Sequence, residues 1–353
     1  IRKGLMDESL RDRGGGIGMS AAGRPAVESM LAALLRRPSP SVFRAPFTMA
    51  LRLLVVAAAM SAGLVVAEEP QFSGQRAMAY LEKVCALGPR PSGSGGMIRQ
   101  RTMLVEHFRA AGATVTGQAF EIRDRRTGQP VHMENLIVEW QPDRLERVLI
   151  GAHFDTRPYP DRDPVNPRGV FLGANDGASG VALLMELAAA MPSLPGPVGV
   201  DFVLFDAEEY VFRPREPYCL GSTFFARHYA ADQQGGRPRC RYRYGAIVDM
   251  VADRNLEIWQ EMHSVEWPDT KPVVDALWDV ARRRGTRQFI ARPKHTIEDD
   301  HVPLRVIGRI PTCDIIDFDY PQWHTTADTP EHCSAESLEA VGGVLLQWLR
   351  EQR

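Results

Sequence analysis

Short apolar runs alternate along this chain with longer stretches in which apolar residues return every three or four positions. The runs "TVTGQAFEI", "ENLIVEW", "RVLIGAHF", "VGVDFVLFDA", "YGAIVDMV" and "PTCDIIDF" predict strands. The helical period appears in "QRAMAYLEKVCALGPR", which stops at Gly88-Pro89, and again at about residues 97–111, 179–191, 221–231, 271–284 and 335–350. Strands alternating with amphipathic helices predict an α/β fold. The expected form is one domain with a mixed, mostly parallel central sheet and helices on both faces. In such sheets ligands sit beyond the carboxyl ends of the strands. No internal repeat or linker interrupts residues 70–353.

The first part of the chain reads differently. Residues 1–48 carry no steady apolar period and are expected to be disordered, or an extension translated from upstream. Residues 49–67, "MALRLLVVAAAMSAGLVVA", have one Arg, an apolar run and a small-residue end before two acids. That is the pattern of a secretory signal cleaved near Ala67, and it implies export to a periplasm or beyond. The alternative is a membrane anchor, for which the run is short. No stable membrane span is expected after cleavage. The catalytic domain is then residues 70–353.

Composition narrows the function. The formal net charge of −2 over 353 residues argues against a general nucleic-acid binder. "GANDGASG" lacks the Lys-Ser/Thr ending of a phosphate-binding loop. Cys85, Cys219, Cys240, Cys313 and Cys333 show no CxxC spacing, so zinc-cysteine chemistry is not expected and no pairing is fixed.

The chemistry lies just past the strands. "FVLFDAEEY" ends an apolar run in two adjacent carboxylates, Glu208 and Glu209, whose repulsion partial burial would worsen. "LIGAHFD" ends in His153 and Asp155. Asp176 stands in "GANDGASG", Asp249 ends "IVDM", and His324 stands in "PQWHTTAD". Imidazole and carboxylates gathered at one sheet edge suit Zn²⁺. On an extended segment neighbours point opposite ways, so one glutamate would bind metal while the other faces substrate as a proton carrier.

This ordered set resembles the zinc aminopeptidase superfamily over roughly residues 75–350. The C-terminal part, with "IEDDHVPL" and Trp323-His324, is similar to glutaminyl-peptide cyclotransferases. Asp299 stands where aminopeptidases usually carry a small polar residue. The resemblance implies Asp176, Glu209 and His324 as zinc ligands and Glu208 as general acid/base. Asp249 and Asp299 would form a hydrogen-bonded acidic network with Glu208. Trp323 would line the substrate pocket. His153 and Asp249 match second-metal positions, with Asp155 behind them. One zinc is expected for a cyclotransferase and two for an aminopeptidase. Three departures fall on the pocket. Phe212 stands in a segment without the family's Trp, Cys313 replaces a His, and Asp319 or Tyr320 replaces a Phe.

The expected activity is zinc-assisted closure of an N-terminal Gln to pyroglutamate with loss of ammonia, on peptide or protein N-termini. The alternatives are an aminopeptidase using the same residues and a catalytically inactive binding ectodomain. His301 reads as structural, and His228, His263, His295 and His332 show no ligand spacing. The Pro-rich segment 161–169 reads as a loop over the site, and Arg282-Arg283-Arg284 as the basic end of a helix.

Overall fold

The computed structural model describes residues 70–236 and 238–352. The extension expected at 1–48 and the signal expected at 49–67 lie outside the described residues. The elements in order are α1 (Gly74–Cys85), α2 (Gly95–Ala110), β1 (Thr114–Arg123), β2 (Pro130–Trp140), β3 (Glu146–His153), α3 (Ala178–Leu187), β4 (Gly199–Phe205), α4 (Leu220–Gln234) and β5 (Arg241–Asp249). They continue with β6 (Ile258–Gln260), α5 (Met262–Glu266), α6 (Lys271–Arg284), β7 (Phe289–Pro293), α7 (His301–Val306), β8 (Thr312–Ile316) and α8 (Ala335–Arg350).

Six strands form one sheet in the order β1-β2-β4-β3-β5-β8. β4, β3, β5 and β8 run parallel, and β1 and β2 join antiparallel at one edge. β4 is buried at every position and β3 at all but its first, as continuous apolar runs between two helical layers require. Edge strand β1 is mostly exposed. The strand period of two sorts side chains onto two cores. Val148, Ile150, Ala152, Phe202, Leu204, Val248 and Ile315 pack with α1, α2, α3, α6 and α8. Leu149, Val203, Phe205 and Ile247 pack with Phe225 and Ala226 of α4 and Leu304 of α7. The mixed, mostly parallel sheet with helices on both faces is thus as the sequence predicts.

Serines start the helices where the pattern begins: Ser73, Ser94 and Ser334 accept amide bonds from the first turns of α1, α2 and α8. The helix expected over 179–191 is α-helical only to Leu187 and tightens to a 3-10 turn over Ala188–Ser193, which contains Pro192. β6, β7, α5 and α7 are too short to show a period, and no pattern in the sequence announces them. No helix among the described residues is long and apolar enough to cross a membrane. All five cysteines are free thiols.

At the sheet end away from the strand carboxyl termini, Arg147 is 1% exposed. It pairs with Asp201 and donates to the carbonyls of Trp140 (2.7 Å), Gln141 (2.8 Å), Arg144 (3.1 Å) and Val200 (3.1 Å). Tyr242 Oη donates to the same Asp201 at 2.5 Å. Removing the cation strands a buried carboxylate and four carbonyls. Arg147→Ala should lose about 3–5 kcal/mol, read as a lower urea midpoint at an unchanged m-value.

Candidate metal centre and active site

Each strand of the parallel core delivers its polar residue at the same edge. β3 ends in His153 and β5 in Asp249; the loops after β3, β4 and β8 supply Asp176, Glu208-Glu209 and His324. Three turns are tight enough to force left-handed backbone at non-glycine residues: Ala207 (φ 60°), Met250 (φ 48°) and His324 itself (φ 56°). Such conformations persist only where surroundings enforce them. Gly177, at φ 92°, follows Asp176, and a Cβ there would meet the Asp155 carbonyl at 2.8 Å. Only glycine allows the Asp176 loop to approach β3 this closely.

Two triads result. In each, one ligand atom per residue lies within 4.8 Å of the others: Asp176, Glu209 and His324 in one, and His153, Asp176 and Asp249 in the other. Asp176 belongs to both. His324 Nε2 lies 2.8 Å from Glu209 and 3.6 Å from Asp176; His153 Nε2 lies 3.1 Å from Asp249 and 3.2 Å from Asp176.

Buried polar residues hold the ligands. The Asp155 carboxylate accepts both the Glu208 and the Glu209 amide at 3.1 Å. Asp328 accepts the amides of Asn175 (2.8 Å) and Asp176 (3.1 Å) and the Tyr320 hydroxyl (2.9 Å), and burial pushes its carboxyl up to about 7. Arg157 donates to Glu209 at 3.1 Å and to both Asp161 oxygens at 2.9 Å. Asp161 also lies 3.2 Å from His324 Nδ1. Burial alone would raise Glu209, but His324 and Arg157 overcome it and hold it below the usual carboxylate range. Burial also opposes protonation of His324, yet Glu209, Asp161 and Asp176 lift it to about 9.

The two glutamates diverge because β4 stops at Phe205 and the chain turns at Ala207, and not because they continue an extended strand. Glu209 joins the ligands, and Glu208 joins Cys219 and Asp299 within 4.8 Å. Burial pushes Glu208 well above its ordinary range, with Glu209, Asp299 and Asp300 adding repulsion against an opposing His153. Asp299 is raised to about 6, first by burial and then by Asp249. The expected hydrogen-bonded network of Glu208, Asp249 and Asp299 is not what forms. Asp249 bonds His153 instead, and the thiol of Cys219 bonds Glu208 at 3.4 Å.

The Trp323 ring lies 4.3 Å from that of His324, under the Arg162 guanidinium at 3.9 Å. Phe212 packs its ring against Tyr210 at 4.9 Å, and the cavity it lines includes none of the ligands. Arg126 covers its ring at 3.2 Å, and it lines a cavity of about 160 Å³ with Ile122, Asp124, Tyr210 and Leu220. Cys313 faces the helix-covered core and not the pocket, while fully buried His301 stands beside Asp299, 3.3 Å from Glu261 and 3.6 Å from Asp314. Segment 161–169 is fastened at its start, while Val165 further along is 90% exposed. The Arg162 amide donates to the His324 carbonyl at 3.1 Å, and Asp163 accepts the Thr326 amide at 2.9 Å and its hydroxyl.

The model of peptidase family M28 matches residues 135–349. The chain belongs to peptidase family M28. Within it the chain is glutaminyl-peptide-cyclotransferase-like, a member of the zinc exopeptidase superfamily. It is 37% identical to the crystal structure of a glutaminyl cyclase from Fimbriiglobus ruber, at TM-score 0.77, covering 81% of this chain and 97% of that one. A leucine aminopeptidase precursor from Bacteroides thetaiotaomicron superposes at TM-score 0.74 and 30% identity, covering 82% of this chain and 100% of that one. The glutaminyl-peptide cyclotransferase of Gloydius blomhoffii is 24% identical over 243 residues, which span 62% of this chain and 65% of that relative's length.

The M28 donor set fits a zinc ion. Asp176 Oδ2 and Glu209 Oε2 are buried without a hydrogen-bond partner. Mixed carboxylate and imidazole ligands are zinc donors. Sequence reasoning missed Arg157, Asp161, Asp328 and Cys219. Asp328 was within reach, four residues past His324, but the others announce themselves only through contacts.

Two expectations follow. Asp161→Asn removes the anion behind His324 and should weaken zinc binding by about tenfold in a chelator competition. Glu261 accepts the amides of His263 (2.8 Å) and Ser264 (2.7 Å), and, with burial opposing, His301 and these amides hold its carboxyl down at about 2. A depressed carboxylate stabilises the fold fully above its unfolded value of about 4.3, and that contribution fades as pH falls toward the folded value. The stability gap between wild type and Glu261→Gln should therefore narrow as denaturation is repeated at pH values falling below that point.

Proposed function

We propose that the protein is a glutaminyl-peptide cyclotransferase that closes an N-terminal Gln to pyroglutamate and releases ammonia. The observation that carries this reading is the placement of Asp299 beside Glu208, both buried, at the position where aminopeptidases usually carry a small polar residue. The 37% identity to the Fimbriiglobus ruber glutaminyl cyclase supports it.

Asp176, Glu209 and His324 would hold one zinc, which supplies Lewis-acid polarisation of the substrate's side-chain amide carbonyl. Glu208 accepts a proton from the attacking α-amine and returns it to the departing ammonia. Its raised affinity for protons suits both halves of that task. Asp299 keeps Glu208 basic by like-charge repulsion. Trp323 bounds the space in which the glutamine side chain must fold back on its own amine, a positioning effect. The substrate would be a peptide or protein N-terminus, and export through residues 49–67 would bring the enzyme to secreted chains.

A second reading has its own support. His153, Asp176 and Asp249 form a complete second triad, and the leucine aminopeptidase precursor has a similar fold. With both triads filled, water would be the nucleophile and Glu208 its base. Mass spectrometry separates the two. A Gln-initiated peptide should lose ammonia with its chain intact, while a Leu-initiated peptide should remain whole. Release of a free first residue favours the peptidase, and metal analysis of the same sample counts one zinc or two. Glu208→Gln should retain zinc and lose turnover by at least about a hundredfold.

A further inference from the structure

α4 begins against the turn that carries Glu208. The Cys219 amide donates to the Glu208 carbonyl and the Leu220 amide to the Ala207 carbonyl, both at 3.0 Å. The Cys219 thiol, in a fully buried setting, lies 3.4 Å from Glu208 Oε1, within reach of a sulfur hydrogen bond. The Glu208 amide is taken by Asp155. Glu208 is therefore fixed at its amide, its carbonyl and one carboxylate oxygen, and Cys219 supplies two of the three contacts. Cys219 makes them from left-handed backbone at φ 57°, a conformation that costs energy at any residue but glycine. Burial and the neighbouring acids raise the thiol well above its ordinary range, so it stays an S–H donor at neutral pH. A thiol also brings no further charge to a site crowded with Glu208, Asp299 and Asp300, whereas a charged donor would rebalance all three.

We infer that Cys219 is a positioning residue for the proton carrier: its thiol engages Glu208 Oε1 and leaves the other oxygen to face the substrate amine. The inference rests on Glu208 carrying the proton, which cyclisation and hydrolysis share, and not on the choice between them.

The test uses the full chain, zinc-loaded, with a Gln-initiated and a Leu-initiated peptide. Cys219→Ala should melt as wild type and keep its zinc. Its kcat should fall about tenfold on whichever peptide is turned over, with KM changing by less than about twofold. Cys219→Ser, which restores a donor, should recover most of the kcat. A space-filling role would instead lower the melting temperature and leave kcat alone, and that result overturns the inference. The S–H stretching bands give a readout free of activity and of any Cys219 variant. Comparing wild type with Glu208→Ala, one buried thiol band should move to higher frequency as its carboxyl acceptor is lost. Unmoved bands overturn the inference. Should Glu208→Gln keep turnover, the proton-carrier role itself falls; should only Cys219→Ala be silent, that role stands and the positioning role falls.

Discussion

Carboxylates that share a buried site repel one another, and low polarisability magnifies the repulsion. Asp155, Asp176, Glu208, Glu209, Asp249 and Asp299 are all buried at one edge of this sheet. The surrounding structure answers that repulsion group by group. Asp155 is satisfied by two backbone amides, Glu209 by Arg157 and His324, and Asp249 by His153. At Glu208 and Asp299 burial outweighs the pull of His153 and, at Asp299, of His301, and both hold their protons more tightly. Burial prevails at Asp249 as well, despite His153, whereas Glu209, paired with both Arg157 and His324, is held low.

Much of this was legible before any coordinates. Alternating apolar strands and helices fixed the layers, since each pattern can bury its apolar side in few ways. A polar residue after each of four strands located the site, because parallel strands bring their carboxyl ends to one edge. Asp176, Glu209 and His324 do meet there, though five strands and their connections lie between the first and the last along the chain.

What was not legible depended on local geometry. The opposed directions of Glu208 and Glu209 were anticipated from strand alternation, yet they arise from a left-handed turn at an alanine, a residue with no preference for it. Asp249 was placed both with Glu208 and, as a second-metal position, with His153; the fold sets it against His153. Phe212, chosen because it stood near a missing Trp, lies under Arg126 beside a different cavity. Arg157 and Asp161 carry no signal in the sequence, and only the fold sets them behind Glu209 and His324.

The tethered start of the segment that carries Asp161 and Asp163 bears on how a ligand at this edge would be received. A lid would have to surrender its own disorder each time substrate arrived, a tax on every encounter. Here that ordering was completed when the polypeptide folded, through bonds to His324 and Thr326. A ligand of this edge would then meet a wall whose start is set beforehand, and more of the lost freedom would fall on the ligand.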